Sequence, residues 1–271
     1  MSFAMYKVIL ISFFQYFAVM TLIYILIIRP LEKKWQRTPN EKIAEYGFDL
    51  RYTLFHYAAN TLLVSPIFWM FKPIDQYGFL SHVLQPLPLW FQFILAIVTW
   101  DFLYYGLHRF SHNNKYAWPL HKSHHSSEKL HVLAGHRANI FSSVTVQSIN
   151  FLVMNFVGFS PKIALAFSGV YLVINTFIHL DSRLRFGFLE NIIATPHFHI
   201  WHHADPPEQK NLAVFFPFID MLFGTFYLPK DVPKKIGLGD DAIRSSVWYH
   251  QFQPFFDWKA FMMQKKSRLN K

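Results

Sequence analysis

Three short segments of this sequence concentrate histidine at spacings that suit metal binding. They read HRFSH from residue 108, HKSHH from residue 121 and HIWHH from residue 199. Each contains an i,i+4 pair, and the last two add an i,i+3 pair, so the imidazoles of a segment share one face if it is helical. The histidines of the three segments are His108, His112, His121, His124, His125, His199, His202 and His203.

The number and type of these donors narrow the choice of metal. Eight imidazoles exceed the ligands of a single ion, which takes about four to six, so the pattern predicts two ions. The chain has no cysteine, which excludes thiolate zinc sites, iron–sulfur clusters and structural disulfides. Imidazole suits iron, copper, zinc and nickel, and the zinc-protease pattern HExxH is absent. The best fit is a nitrogen-rich pair of irons at a membrane surface.

Acidic residues near the histidines are candidates for holding the imidazoles in place. A metal-bound histidine commonly donates its other ring N–H to a carboxylate or a carbonyl, which sets its tautomer. Asp101, Glu128 and Asp181 are predicted as these acceptors, because they lie near the segments in a chain with only 16 acidic residues. The alternative for each of them is an ordinary surface or interface charge.

The composition indicates a membrane protein. The chain of 271 residues is 52% hydrophobic and 15% charged, whereas soluble domains are about a quarter charged. Its net charge of +10 would suit nucleic-acid binding. However, the basic residues flank apolar stretches, as they do in membrane proteins. We therefore predict a membrane protein that does not bind nucleic acid.

Five apolar stretches predict the membrane helices. The first, residues 8–28, is uncharged and long enough to cross a bilayer core of about 30 Å, and it is predicted to be a retained helix and not a signal peptide. The last two are predicted either to form a hairpin across the bilayer or to penetrate it partly. The other stretches are residues 52–71, 87–107, 141–160 and 163–178.

The basic residues predict the orientation of these helices. Four of them between residues 29 and 37 follow the first helix, against Lys7 alone before it, which places the loop after that helix in the cytosol. With a hairpin at 141–178, every histidine segment also lies on the cytosolic side. The sequence therefore predicts an all-α, multi-pass membrane protein with four to five membrane helices and a cytosolic, histidine-rich helical cap. The membrane is a bacterial inner membrane or the endoplasmic reticulum.

The histidine segments also carry a family resemblance. DFLYYGLHRFSH, HKSHHSSE and TPHFHIWHH resemble the fatty acid hydroxylase/sterol desaturase superfamily, whose pattern is HxxxH, HxxHH and HxxHH. NTFIHLDSRLRFG resembles a family segment whose histidine, here His179, supplies a further ligand. The resemblance covers residues 100–228 and implies a catalytic domain there. The apolar stretches predict membrane helices in residues 1–99, and the composition of residues 229–271 predicts a basic tail. His131, His136 and His197 match no ligand position and are interpreted as supporting or structural, and Arg137 has no assigned role. The implied ligands are His108, His112, His121, His124, His125, His179, His199, His202 and His203.

The resemblance implies an iron-dependent oxidoreductase of lipid metabolism. Its non-haem di-iron centre would use O2 to hydroxylate or otherwise oxidise a C–H bond of a lipid or sterol that arrives from the bilayer. Such a bond is not broken by acid–base groups, so a redox metal must carry the chemistry. The sequence contains no GxGxxG nucleotide fingerprint, which implies a separate electron-donor protein or reductase.

Other activities remain open from the sequence. The same centre would also support desaturation or the cleavage of ether lipids. A di-zinc membrane hydrolase and a metal carrier without catalysis are the alternatives of a different class. The sequence does not distinguish among these reactions or identify the lipid.

Overall fold

The computed structural model describes residues 23–37, 46–64, 78–205, 209–238 and 246–269. These residues form helices and loops, with one isolated β-bridge between Ala204 and Ile236 and no strand among them. The all-α prediction is therefore confirmed for the described part of the chain. The α-helices are α1 (Arg29–Trp35), α2 (Tyr46–Ala59), α3 (Ser81–Leu84), α4 (Leu89–Asn113), α5 (Trp118–His121), α6 (Ile140–Phe151), α7 (Pro161–Ile178), α8 (Pro196–His202), α9 (Pro217–Phe223) and α10 (Val247–Leu269).

Most described residues of the predicted apolar stretches are helical. Residues 89–107 belong to α4, which starts after Pro88 and extends to Asn113. The stretch 52–71 begins within α2, which passes into a π-helical turn at Asn60–Val64. The remainder of that stretch, and most of 8–28, lie outside the described residues.

Among the described helices, α4 is the one that is long and apolar enough to cross a membrane by length and composition. The helical segments Ile140–Phe156 and Lys162–Ile178 are apolar but shorter. The four to five membrane crossings therefore remain a prediction. No strongly charged side chain interrupts α4 before Asp101.

A short turn joins α6 and its π-helical continuation Leu152–Phe156 to α7, and the hairpin across the bilayer stays a prediction. The Asn139 side chain accepts the backbone N–H of Phe141 at 3.0 Å, which caps the start of α6. The connecting turn contains Gly158 at φ +106°, a conformation that favours glycine. Phe79 and Leu80 donate to the carbonyls of Phe156 and Val157, both at 2.9 Å, so the segment before α3 packs on this turn.

A buried aromatic core holds α4 against α7. Trp100 is fully buried, and its ring lies 5.3 Å from Phe167 and 5.8 Å from Phe215 between centroids. Phe198 of α8 belongs to the same core. These side chains pack α4 against α7 and next to α8.

The segment predicted as a basic tail contains the long helix α10. Gln251 of this helix accepts the backbone N–H of Ile140 at 2.8 Å and donates to the Tyr52 hydroxyl at 2.9 Å. Asn139 donates to the backbone carbonyl of Gln251 at 2.9 Å. These contacts attach α10 to α2 and to the start of α6.

Candidate metal centre

The histidines singled out from the sequence reach one place from several elements. His108 and His112 lie on the last two turns of α4. His121 ends α5, and His124 and His125 begin the 3₁₀ turn that follows it. His179 caps the C-terminus of α7. His199 and His202 lie on α8, and His203 is its C-terminal cap.

These nine side chains form two groups, and within each group one ring nitrogen from every histidine lies within 4.8 Å of those of the others. The two HxxHH segments are divided between the groups. The i and i+4 histidines of each segment go to one group, and the i+3 histidine goes to the other. Site A contains His108, His112, His121, His125 and His202, and site B contains His124, His179, His199 and His203.

The distances within each site are those of ligands around one ion. In site A, His121 Nε2 lies 3.0 Å from His108 Nε2 and 3.2 Å from His125 Nε2. In site B, His179 Nε2 lies 3.0 Å from His199 Nε2 and 3.4 Å from His124 Nε2. Two nitrogens that are each about 2.1 Å from an ion lie about 3.0 to 3.4 Å apart at octahedral to tetrahedral angles.

Hydrogen bonds from the ring nitrogens that point away from the sites determine the tautomer of three imidazoles, and thus which nitrogen has a lone pair directed into the site. His108 Nδ1 donates to the Leu212 carbonyl at 2.7 Å, and His179 Nδ1 donates to the Asn175 carbonyl at 2.7 Å. His202 Nδ1 donates to the Lys210 carbonyl at 3.0 Å. The Nε2 atom of each of these neutral rings is then an acceptor.

Two inward nitrogens are buried without a hydrogen-bond partner among the described residues. These are Nε2 of His112 and Nε2 of His202, both in site A. A buried polar atom without a partner is unfavourable, and lone pairs that converge repel one another. A cation at the centre of each site removes both costs, so the donor sets fit metal ions.

Burial keeps the imidazoles in the form that binds metal. Loss of solvation lowers the pKa of His121, His125 and His202 well below the ordinary value, and neighbouring histidines lower each pKa further. The pKa of His179 is lowered to about 4, also through burial. Neutral imidazole is the ligand form, so no proton has to leave these rings at neutral pH.

The acidic residues do not contact the imidazoles as predicted. Asp101 accepts the backbone N–H groups of Val214, Phe215 and Phe216 at 2.8 to 3.0 Å. Asp181 lies 3.6 Å from Arg37 in an ion pair, and Glu128 is exposed. Backbone carbonyls take the place of carboxylates as the acceptors, which a sequence pattern does not reveal.

Asp101 supports site A indirectly. The segment that it binds follows Leu212, whose carbonyl accepts from His108. Asp220 accepts the N–H groups of Leu212 and Ala213 at 2.7 and 2.9 Å. The two buried carboxylates therefore hold in place the chain that presents the Leu212 carbonyl.

A buried ionic network, which sequence reasoning missed, lies next to site B. Asp49 of α2 is fully buried, and it accepts from His131 Nε2 at 2.6 Å and from Arg137 Nη2 at 2.9 Å. Arg137 also donates to Ser126 Oγ at 3.1 Å, and its backbone bonds to His124. Burial alone would raise the pKa of Asp49, but the bonds from His131 and Arg137 outweigh it and lower that pKa. Arg137 thus links α2 to a site B histidine, through its side chain to Asp49 and through its backbone to His124.

The loop between His131 and Arg137 also contacts His179 directly. A Cβ atom on Gly135 would lie 2.8 Å from both Cγ and Nδ1 of His179. The space beside the imidazole thus admits only glycine at this position. Neither the glycine nor Asp49 carried a recognisable signal in the sequence.

A cavity of about 270 Å³ opens onto both sites from the helical side. His108 and His121 of site A and His124, His179 and His199 of site B line one part of it. The remaining walls come mainly from α2, α6 and α7. On another side, a cavity of about 450 Å³ reaches histidines of both sites and is bordered by Lys115 and Lys122.

Comparisons with known proteins agree with this arrangement. The fatty acid hydroxylase family model matches residues 93–225. An ornithine lipid hydroxylase (OlsE) of Rhizobium tropici is 26% identical over 214 residues, which cover 74% of this chain and 62% of that protein. The alkylglycerol monooxygenase of Danio rerio is 29% identical over 62% of this chain and 37% of that protein. The human alkylglycerol monooxygenase is 30% identical over 51% of this chain and 30% of that protein. The chain thus spans less than two thirds of the length of these relatives.

No solved structure matches this chain. The family match includes α4, α6, α7 and α8, and it contains every histidine of sites A and B. The chain belongs to the fatty acid hydroxylase superfamily.

Proposed function

We propose that this protein is a membrane-bound, O2-dependent di-iron oxidoreductase that hydroxylates a C–H bond of a lipid. The observation that carries the proposal is the pair of adjacent histidine sites, with nitrogen donors only, that open together onto one cavity. The lipid hydroxylase and monooxygenase names of the relatives support the reaction class.

Sites A and B would each hold one iron, and the bound irons would supply the redox chemistry with O2 that C–H oxidation requires. The protein's own part is positional. The carbonyls of Leu212, Asn175 and Lys210 hold three imidazoles in one tautomer with the lone pair directed inward. Burial of the rings keeps them neutral and limits the access of water.

The cavity would receive the lipid. It lies between α2, α6 and α7 and leads to histidines of both sites, so a chain inserted there has a carbon close to the centre. α4 has the length and composition of a membrane span, which supports delivery of the substrate from a bilayer. A multi-pass arrangement with the histidines on the cytosolic side is part of the proposal.

Electrons would come from a separate protein. The cavity on the other side of the centre reaches His112, His125 and His202, and Lys115 lies at its border. The net charge of +10 favours an acidic donor, because opposite charges accelerate encounter. Donor-dependent turnover should then fall as the salt concentration rises, and turnover indifferent to salt would count against this partner.

The test is untargeted lipid mass spectrometry on cells that produce the wild type or a variant. His124→Ala and His202→Ala remove one ligand each from site B and site A. His82→Ala is the control, because His82 is an exposed histidine on α3. We expect one lipid class to gain a single oxygen with the wild type and the control only.

Lipid mass spectrometry together with metal analysis separates the alternatives. Loss of two hydrogens would indicate desaturation, and loss of ether lipids would indicate cleavage. A di-zinc hydrolase would act without O2 and would retain zinc in metal analysis of the purified protein. Full oxidation by the His124→Ala/His202→Ala double variant would refute the assignment of the metal centre.

A further inference from the structure

The cavity beside the metal centre has a polar wall that an alkyl chain alone does not require. Tyr104 of α4, Gln147 of α6 and Tyr171 of α7 all line it. Both tyrosine rings contact the same buried Trp100, with centroid distances of 4.8 Å for Tyr104 and 5.0 Å for Tyr171. The three polar groups therefore lie on different helices around one aromatic ring.

Gln147 is joined to the same tryptophan through Asn150. The Trp100 indole N–H donates to Asn150 Oδ1, and Asn150 Nδ2 donates to Gln147 Oε1 at 3.3 Å. This chain occupies the amide oxygen of Gln147 and leaves its NH₂ group available. Within the described part of the chain, no hydrogen bond engages that NH₂ group or the hydroxyls of Tyr104 and Tyr171.

The position of these donors relates them to the reaction. Tyr104 precedes His108 by four residues on α4, which is about 6 Å along the helix axis. Trp100, the centre of the group, precedes His108 by about 12 Å. A lipid atom bound there is separated by a few carbon–carbon bonds from a carbon at the metal centre.

The charges of the side chains that line the cavity determine which kind of lipid group can bind beside Tyr104, Gln147 and Tyr171. Among the described residues that line this cavity there is no Lys, Arg, Asp or Glu. The proposed irons would lie at its histidine end, about 6 Å or more along α4 from Tyr104. Burial lowers the pKa of His136, which also lines it, to about 3, so this ring is uncharged at neutral pH. An anion held beside Tyr104, Gln147 and Tyr171 would have no cationic side chain in contact with it among the described lining residues. Burying it there costs far more than burying a neutral acceptor that receives hydrogen bonds.

We propose that Tyr104, Gln147 and Tyr171 form a subsite for an uncharged hydrogen-bond acceptor of the lipid, such as a hydroxyl, ether or amide oxygen. The substrate is then a lipid whose polar group nearest the oxidised carbon carries no charge. This inference rests on the proposed function, because it treats the cavity as the place where the lipid reacts.

Binding of three C16 compounds to the purified holoprotein tests the subsite. The compounds are hexadecan-1-ol, hexadecyl phosphate and hexadecane, each added to nanodiscs of phosphatidylcholine that contain the protein. The readout is the shift in unfolding temperature, which reports binding to the folded state without turnover. We expect the alcohol to bind at least about tenfold more tightly than the alkane or the phosphate, as expected for two hydrogen bonds.

Conservative variants locate the effect. Tyr104→Phe, Tyr171→Phe and Gln147→Leu should each weaken alcohol binding by about 2- to 13-fold, the value of one net hydrogen bond, and leave hexadecane binding unchanged. Tyr249→Phe is the control, since Tyr249 is exposed on α10. Equal binding of the phosphate and the alcohol, or variants with unchanged preference, would overturn the subsite.

A separate turnover assay with O2 and a chemical reductant distinguishes the two proposals. Selective binding of the alcohol without oxidation of any lipid would support the subsite and count against the oxidoreductase. Oxidation of lipids without the binding preference would support the oxidoreductase and count against the subsite.

Discussion

Replacing Gly135 by alanine should remove the metal from site B and leave site A loaded. The Cβ atom of an alanine there would lie 2.8 Å from Cγ and Nδ1 of His179. The imidazole is 1% exposed and its Nδ1 is bonded to the Asn175 carbonyl at 2.7 Å, so a shift of the ring strains this bond and moves Nε2 away from the other ligands of site B. The clash must therefore displace the ring or the loop.

The size of the displacement exceeds what a metal site tolerates. An ordinary contact between carbon atoms is about 3.5 Å or longer, so the ring must shift by about 0.7 Å. Metal–ligand distances hold within about 0.2 Å. Even changes outside the ligand set commonly cost about 10- to 100-fold in metal affinity, and we expect a loss at the upper end of that range for site B.

Metal analysis of the purified protein measures this effect. The wild type should contain about two irons per chain, as the two sites imply, and Gly135→Ala about one. Gly169→Ala is the matched control on the helix that carries His179, because an added Cβ meets nothing within 4 Å there. A folded Gly135→Ala protein that retains both irons with unchanged affinity would refute the reasoning.

Three further predictions concern the buried carboxylates. Asp49→Ala leaves the buried Arg137 without this partner and should lower the free energy of unfolding by about 3 to 5 kcal/mol. Denaturant unfolding in micelles measures this change, with Asp231→Ala at an exposed position as the control. An unfolding midpoint equal to that of the wild type would contradict the prediction. The pKa of Asp49 is lower in the folded state than in the unfolded chain, so its contribution is present above about pH 4 and is lost as the pH falls through the folded pKa. Asp49→Asn should remove that part of the pH profile of stability, and an unchanged profile would assign the acid sensitivity to other groups. Asp101→Asn should weaken metal binding at site A by about 10- to 100-fold through the segment that carries the Leu212 carbonyl, and metal titration showing a greater loss at site B would contradict this.

Much of the local structure follows from the sequence by itself. The spacing of the histidines predicted residues that the structure brings together in two groups, because i,i+3 and i,i+4 positions share a helix face wherever the helix lies. The helix α4 was predicted at 87–107 and is observed at Leu89–Asn113, since a long apolar run needs no partner to be recognised. The boundary between the last two apolar stretches was predicted at Pro161, and α7 begins at this residue.

The tertiary structure alone decided how these parts work together. Sequence spacing does not show that His124 belongs to site B while His121 and His125 belong to site A, or that His202 belongs to site A while His199 and His203 belong to site B. This division depends on how α5 and α8 are placed. Asp49 and Arg137 are 88 residues apart, and only the packing of α2 against the 131–137 loop makes them partners. The acceptors of His108 and His179 are backbone carbonyls. Every residue has such a carbonyl, so only the fold determines which one lies beside each imidazole.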